Sequence, residues 1–248
     1  MTRPARVIVD IAAVKANFKV VQKRAPTARV MAIIKADGYG HGIVRIADAL
    51  SGHADAFGVA SLEEAIKVRE AGIETPVVLL EGPFSDTEIG DIEAHHLETV
   101  VHNHEQVAWL SRARSPLSIW IKIDSGMHRL GFVPHDVAAV EERLQRPDRV
   151  IRYMTQLANA HHVDDLSVQE QLDSFRSVVA GDSEHSIANS AAILAWPDAH
   201  ANWVRPGLML YGVSPFSGQC GRDYTLRPVM TVASELISVR EVDSGGSV

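Results

Sequence analysis

The chain has 248 residues, 46% of them hydrophobic, which is enough to bury a large core and excludes a disordered or low-complexity polypeptide. Its 24 Lys and Arg against 31 Asp and Glu give a net charge of -7 with no long basic block, so charge recruits neither nucleic acid nor an anionic membrane surface. A single cysteine, Cys220, cannot form an internal disulfide, the N-terminus lacks the apolar stretch of a signal peptide, and no apolar run approaches the ~18 residues that span a bilayer; a cytoplasmic protein is expected.

Arg6 to Ile11 reads as a strand, followed by a helix over roughly Ala12 to Ala25. From there β-branched runs alternate with amphipathic helical stretches, without a Pro/Gly/Ser-rich linker between units. The strand candidates are Arg29 to Lys35, Ala56 to Ser61, Pro76 to Glu81, Leu97 to His102, Ser118 to Ile123, Val150 to Leu157, His185 to Asn189 and Val204 to Tyr211. Among the helices, Leu62 to Ala71 opens with Ser61 and Glu64 at capping-box spacing and stops at Gly72, and Ser85 with Glu88 repeats the box. Eight strands each followed by a helix predict an α/β fold, a closed (β/α)8 TIM barrel with its active site at the C-terminal ends of the strands. An open dinucleotide-binding sheet is the rival, but Gly38, Gly40 and Gly42 lack the Gly-x-Gly-x-x-Gly spacing. After the eighth strand, Leu226 to Val242 alternates apolar and polar residues with no helix behind it, as the beginning of a separate all-β domain would. The expected division is a barrel over residues 1–225 and the start of a truncated C-terminal β domain over 226–248, because the sequence stops at the Gly/Ser-rich turn Ser244-Gly245-Gly246-Ser247.

The stretch Lys35-Ala36-Asp37-Gly38-Tyr39-Gly40-His41-Gly42 carries the most chemistry. A lysine that ends an apolar strand at the barrel mouth either snorkels to solvent or is desolvated enough to form a Schiff base with a carbonyl cofactor. Asn189 and Ser190 stand where a strand gives way to a helix, where an N-cap and an anion site are compatible roles. Arg129, after an apolar strand and a Gly-containing loop, offers a planar donor fork suited to a carboxylate, or is an ordinary surface cation. His161-His162 with Asp164-Asp165 lacks zinc-ligand spacing and reads as a solvated loop; His95-His96, His102 and His104 read as helix ends and loops. Cys220 has no Cys-x-x-Cys partner, so no metal and no thiol chemistry are expected.

The lysine segment resembles the pyridoxal-phosphate attachment segment of alanine racemases. The resemblance continues through Lys122-Ile123-Asp124-Ser125-Gly126-Met127-His128-Arg129-Leu130-Gly131-Phe132, Ala188-Asn189-Ser190-Ala191-Ala192 and Val204-Arg205-Pro206-Gly207-Leu208-Met209-Leu210-Tyr211-Gly212. It implies a barrel followed by a β domain, pyridoxal 5'-phosphate as cofactor, and interconversion of L- and D-alanine that supplies peptidoglycan. Lys35 is then the Schiff-base lysine and one of two catalytic bases, and Tyr39 supports the cofactor beside it. Arg129 contacts the cofactor phenolic oxygen and the substrate carboxylate, and is also counted as catalytic. Lys122 matches a lysine that many of these enzymes carbamylate, Ser190 with the Gly207-Leu208 backbone and Asn189 holds the phosphate end, and Arg205 faces the pyridine nitrogen. An always-charged guanidinium there disfavours protonation of the ring, which weakens the electron sink and favours racemisation over transamination. The sequence departs from the family at Gln156, where a histidine commonly bonds that arginine.

The resemblance also implies a homodimer in which a tyrosine of the partner's β domain acts on the opposite face of the substrate. None of Tyr39, Tyr153, Tyr211 and Tyr224 has that context, so the 248 residues alone are expected to lack the second base and to be weakly active. Two other readings stay open: a single-barrel pyridoxal-phosphate carrier without turnover, disfavoured by the alternating tail, and another amino-acid racemase on the same barrel.

Overall fold

Burial on both faces explains why the strand candidates are apolar runs rather than alternating ones. In the computed structural model, which describes residues 4–246, β1 (Arg6–Val9) leads into the helix Ile11–Arg24, whose start is capped by Asp10 through a bond from the Ala13 N–H at 3.0 Å. The chain then runs through β2 (Arg29–Ile33), β3 (Ala56–Val59), β4 (Val77–Leu79), β5 (Glu98–Val101), β6 (Ser118–Lys122), β7 (Val150–Met154), β8 (His185–Asn189) and β9 (Trp203–Arg205). These eight pair in parallel and in sequence order, and β9 returns to β2, closing the barrel with helices outside. The architecture is the (β/α)8 barrel expected from the alternation.

Side chains divide by the strand period. Along β2, Val30 and Ala32 face the surrounding helices, while Met31 and Ile33 join Val78, Val100, Trp120, Met154 and Trp203 inside the barrel. The barrel interior is therefore packed, and only its C-terminal mouth is open for a ligand. Its N-terminal end is sealed by Trp120 and Trp203, edge to face at 5.6 Å, and by Arg29, Arg152, Glu98 and Glu184 around them.

Every strand candidate lies in the barrel, but several end earlier than their apolar runs. The eighth stops at Arg205 instead of Tyr211, because Pro206 has no N–H for the ladder and Leu208–Tyr211 winds into a 3₁₀ turn. The alternating tail is shorter than expected as well: within Leu226 to Val242 only β10 (Met230–Ala233) is a strand. It pairs antiparallel with β1, Arg6 opposite Ala233 and Val9 opposite Met230, in a two-stranded sheet outside the barrel. Ser247, in the Gly/Ser-rich turn, and Val248 lie outside the described residues. No helix among the described residues is long and apolar enough to cross a membrane.

Candidate active site

The ends of β2, β4, β6, β7, β8 and β9 converge on one cavity of about 510 Å³ at the C-terminal mouth. Lys35, Tyr39, Lys122, Arg129, Asn189, Ser190, Arg205, Gly207 and Leu208 all line it, so every site residue read from the sequence is brought to the same place.

Lys35 does not simply end its strand. It opens a turn, Lys35–Tyr39, in which Ala36, Asp37 and Tyr39 take positive φ values of 53°, 52° and 54°. Each L-residue in that region costs roughly 1–2 kcal/mol, so the turn is a strained segment held by its neighbours. Its product is a lysine and a tyrosine four residues apart that both reach the cavity. The Lys35 Nζ lies 3.9 Å from a Glu81 carboxylate oxygen, and the Tyr39 ring stacks on Tyr211 at 4.8 Å. Tyr211 in turn donates its hydroxyl to the Ile33 carbonyl at 3.1 Å. Burial pushes both phenols above their ordinary range, Tyr211 furthest, which keeps them protonated donors. Glycine at 207 is dictated by this packing, since a Cβ there would stand 2.6 Å from the Tyr39 hydroxyl.

Lys122, at the end of β6, is buried, and no carboxylate among the described residues is bonded to it. Burial first, then the cations Arg205, Arg129 and Lys35, push its amine down to about 8. Arg129 follows a loop wound around Asp124, whose Oδ1 accepts from the N–H groups of Gly126, Met127 and His128 at 2.9–3.1 Å. Burial works against the Asp124 charge, but those bonds hold its carboxyl below the usual range. Gly131 closes the loop where a Cβ would meet the Asp124 nitrogen at 2.5 Å.

Asn189 caps the helix Ser190–Ala195 by accepting from the Ala192 N–H at 3.1 Å. The Ser190 hydroxyl oxygen accepts from the Gly207 N–H at 2.9 Å and the Met209 N–H at 3.3 Å, drawing backbone donors of the last barrel turn to one point. Arg205 is buried, and its guanidinium donates to the Ser186 hydroxyl at 2.7 Å, the Thr155 carbonyl at 2.5 Å, the Gln156 amide oxygen at 3.1 Å and the Ile187 carbonyl at 3.3 Å. All four acceptors are neutral; burial brings the guanidinium down to about 10, still charged at pH 7. Gln156 thus makes the bond that orients Arg205 at the position where the resemblance leads one to expect histidine.

The cavity has a strong sign. Lys35, Lys122, Arg129 and Arg205 face Glu81 as the one carboxylate among its lining residues, so the site attracts an anion and would hold a phosphate or carboxylate with donors already in place. Sequence reasoning missed Glu81 and Tyr211, which stood there only as a strand-end polar residue and a strand-end aromatic. It also read His161 as part of a solvated loop; the ring is exposed as expected, yet it lines the cavity mouth. No group of His, Cys, Asp and Glu among the described residues is arranged to hold a metal ion.

Comparisons with known proteins identify the family and the fold. The family described as "Alanine racemase, N-terminal domain" matches residues 9–215. The chain is 42% identical over 254 residues to the alanine racemase of Halorhodospira halophila, covering 100% of the chain and 70% of that protein. It is 44% identical over 248 residues to the catabolic alanine racemase of Pseudomonas aeruginosa, covering 98% of the chain and 69% of that protein. Among solved structures, the biosynthetic alanine racemase of Pseudomonas aeruginosa superposes with a TM-score of 0.94 at 38% identity, over 100% of the chain and 70% of its own. The alanine racemase of Acinetobacter baumannii superposes with a TM-score of 0.92 at 35% identity, over 100% of the chain and 71% of its own.

Proposed function

Since the chain belongs to the alanine racemase family, we propose that it interconverts L- and D-alanine with pyridoxal phosphate attached at Lys35. The observation that carries this reading is the convergence of Lys35, Tyr39, Arg129, Ser190 and Arg205 on one cationic cavity. The donor set suits such a cofactor: the Ser190 hydroxyl, at a helix start capped by Asn189, and the Gly207–Leu208 backbone for the phosphate, Tyr39 beside the lysine, and Arg205 for the ring nitrogen. The bound cofactor supplies an electron sink that acidifies the substrate Cα–H.

Lys35 Nζ would take the Cα proton of one enantiomer on its own face and, in the reverse direction, deliver a proton to that face, while inversion needs the opposite transfer on the other face. Arg129 holds the substrate carboxylate in its donor fork, and the neighbouring cations keep that end anionic. Arg205 remains charged because its acceptors are neutral and none can take its proton, so it disfavours a second positive charge on the ring nitrogen. Lys122, brought down to about 8, has roughly one amine in ten neutral at pH 7, the form that adds to carbon dioxide. Carbamylation there, the amine nitrogen bonding the carbon and releasing a proton, would place a negative charge against Arg129 and relieve the cationic cluster.

The chemistry on the other face is assigned, on family grounds, to a tyrosine of a partner subunit in a homodimer. We also assign residues 1–225 to the cofactor-binding barrel and 226–248 to the beginning of a β unit; β10 outside the barrel supports the second, while β1 pairs with it there instead of joining the barrel. The family role carries to a cytoplasmic enzyme supplying D-alanine for peptidoglycan. The test is to add pyridoxal phosphate to the apoprotein, follow D-alanine formation in one portion, and reduce a second portion with borohydride and map the labelled peptide. Label on Lys35 is expected, with racemisation slow in these 248 residues and faster where the second base is supplied; label on another lysine with Lys35 unmodified overturns the assignment.

A further inference from the structure

The strained turn that presents Lys35 and Tyr39 needs something to hold it. Within the turn, the Gly38 N–H donates to the Ile34 carbonyl at 2.7 Å and the His41 Nδ1 lies 3.0 Å from the Gly38 and Tyr39 carbonyls. At its far end the Asp37 carboxylate accepts from the Ile43 N–H at 2.9 Å, tying the turn to the helix Ile43–Leu50. The tie to the next βα unit is made by Glu64, in the first turn of the helix Leu62–Glu70. One of its oxygens accepts from the Asp37 N–H at 3.1 Å, and the other from the Ala60 N–H, just past β3, at 2.9 Å. This is not the capping box expected from the Ser61 and Glu64 spacing. The Ser61 side chain caps nothing, and Glu64 reaches past the Ser61 N–H to Ala60 and across 27 residues of sequence to Asp37.

We propose that Glu64 is a positioning residue: its two oxygens fasten the left-handed turn to the exit of β3 and so aim Lys35 and Tyr39 into the cavity. Glu64 is not among the cavity-lining residues, so it acts through its neighbours: through the turn, and through its charge on Tyr211, which stacks on Tyr39. A carboxylate is required because both bonds are accepted, one by each oxygen; glutamine accepts with one end only. Favourable interaction with the helix N-terminus does not explain the residue, since Glu63 sits in the same first turn, exposed, and supplies that charge without touching Asp37.

The consequence for Lys35 rests on its being the cofactor lysine, and the experiment separates the two ideas. Wild type, Glu64→Ala, Glu64→Gln and Glu63→Gln are compared in the full chain. Hydrogen exchange of the Asp37 and Ala60 amides is read without cofactor, and the rate at which added pyridoxal phosphate becomes fixable on Lys35 is read by borohydride trapping and peptide mapping. Glu64→Ala should accelerate exchange at both amides and slow capture at Lys35, each about tenfold, which is the loss of a hydrogen bond to a charged acceptor. Glu64→Gln should recover part of both, Glu63→Gln should match wild type, and urea midpoints should show each variant folded. Wild-type exchange and capture in folded Glu64→Ala, or the same defects in Glu63→Gln, would overturn the proposal. Should Glu64→Ala not fold, Glu64→Gln decides on the same readouts. If wild type captures nothing at Lys35, the cofactor assignment falls, while the exchange data still decide whether Glu64 holds the turn.

Discussion

The two ends of the barrel use the same residue types to opposite effect. At the N-terminal end the cations are matched. Arg152 bonds Glu98 at 3.2 Å and Glu184 at 2.6 Å, Arg29 pairs with Glu184, and the Arg29 guanidinium lies 4.4 Å over the Trp203 ring. Trp120 completes the layer by donating its ring N–H to Glu98 at 2.8 Å. At the C-terminal end Lys35, Lys122, Arg129 and Arg205 face a single lining carboxylate, Glu81, 3.9 Å from Lys35. A satisfied ion-pair layer under aromatic rings stoppers the barrel and resists change. An unsatisfied cluster is carried by the fold at a cost, and that cost is offset when an anion arrives. Charge balance therefore separates the structural end from the functional end more sharply than burial does, since Arg205 and Lys122 are as buried as much of the core.

The largest difference between the ends should be catalytic. Lys35→Ala removes the attachment point and one base, and should lower D-alanine formation by at least about 10³-fold. Arg152→Ala, at the opposite end, should leave the rate per folded molecule within about twofold. The same Arg152→Ala should cost about 2–3 kcal/mol of stability, because it leaves Glu98 with the Trp120 N–H and no cation, and Glu184 with Arg29 as its one cation, in a partly buried layer, a shift of several degrees in Tm for a chain of this size. A calorimetric scan of both variants checks the pair. Comparable Tm losses would show that the mouth is as load-bound as the stopper, and the contrast would fail.

Lys122 sharpens the comparison, because its unmatched charge is destabilising. Its amine is lowered from 10.5 to about 8, so below pH 8 it is charged in both folded and unfolded chains and the folded state carries the whole penalty. Between pH 8 and 10.5 the unfolded chain holds a proton that the folded chain has lost, and stability from this group rises with pH. Lys122→Met should therefore be more stable than wild type by about 1–2 kcal/mol at pH 7 in carbon-dioxide-free buffer, with the gap closing towards pH 10. Denaturant midpoints across that range measure it. A gap that does not change with pH would mean that the penalty is not one of charge. Added bicarbonate should narrow the gap at pH 7 if the amine is carbamylated, by stabilising wild type alone.

Much of this was legible in the sequence because it is local. Eight apolar runs separated by amphipathic stretches can satisfy their backbones and their faces only as a covered parallel sheet, and motif residues at strand ends fall at one mouth once the sheet closes. What was not legible is relational. Glu64 satisfies a capping-box pattern, and nothing in the spacing reveals that its oxygens serve Ala60 and Asp37 instead. Glu81 ends a strand like any polar residue, and only the closed barrel sets it beside Lys35. The tail alternates over Leu226 to Val242, yet only Met230–Ala233 finds a partner, because a strand needs a neighbour and β1 is four residues long.

The smallest effect concerns Gln156, where the resemblance leads one to expect a histidine. Arg205 keeps the Thr155 and Ile187 carbonyls and the Ser186 hydroxyl whatever stands at 156, so Gln156→Leu should cost less than about tenfold in kcat/KM, the worth of one hydrogen bond to a charged donor. Gln156→His is more informative. A neutral imidazole can accept from Arg205 through one ring nitrogen, whereas an imidazolium has only donors and repels the guanidinium. The variant should therefore track wild type above about pH 7 and fall a few-fold below it on the acid side, with a midpoint below the ordinary imidazole value of about 6.5 because the guanidinium disfavours the imidazolium. Gln156 does not titrate, so the wild-type profile lacks this limb. Plotting the ratio of variant to wild-type kcat/KM from pH 5.5 to 8.5 cancels every other ionisation in the site. A flat ratio would mean that the Gln156 contact at 3.1 Å does not govern Arg205, and that its three remaining acceptors suffice to hold the mouth's most buried cation in place.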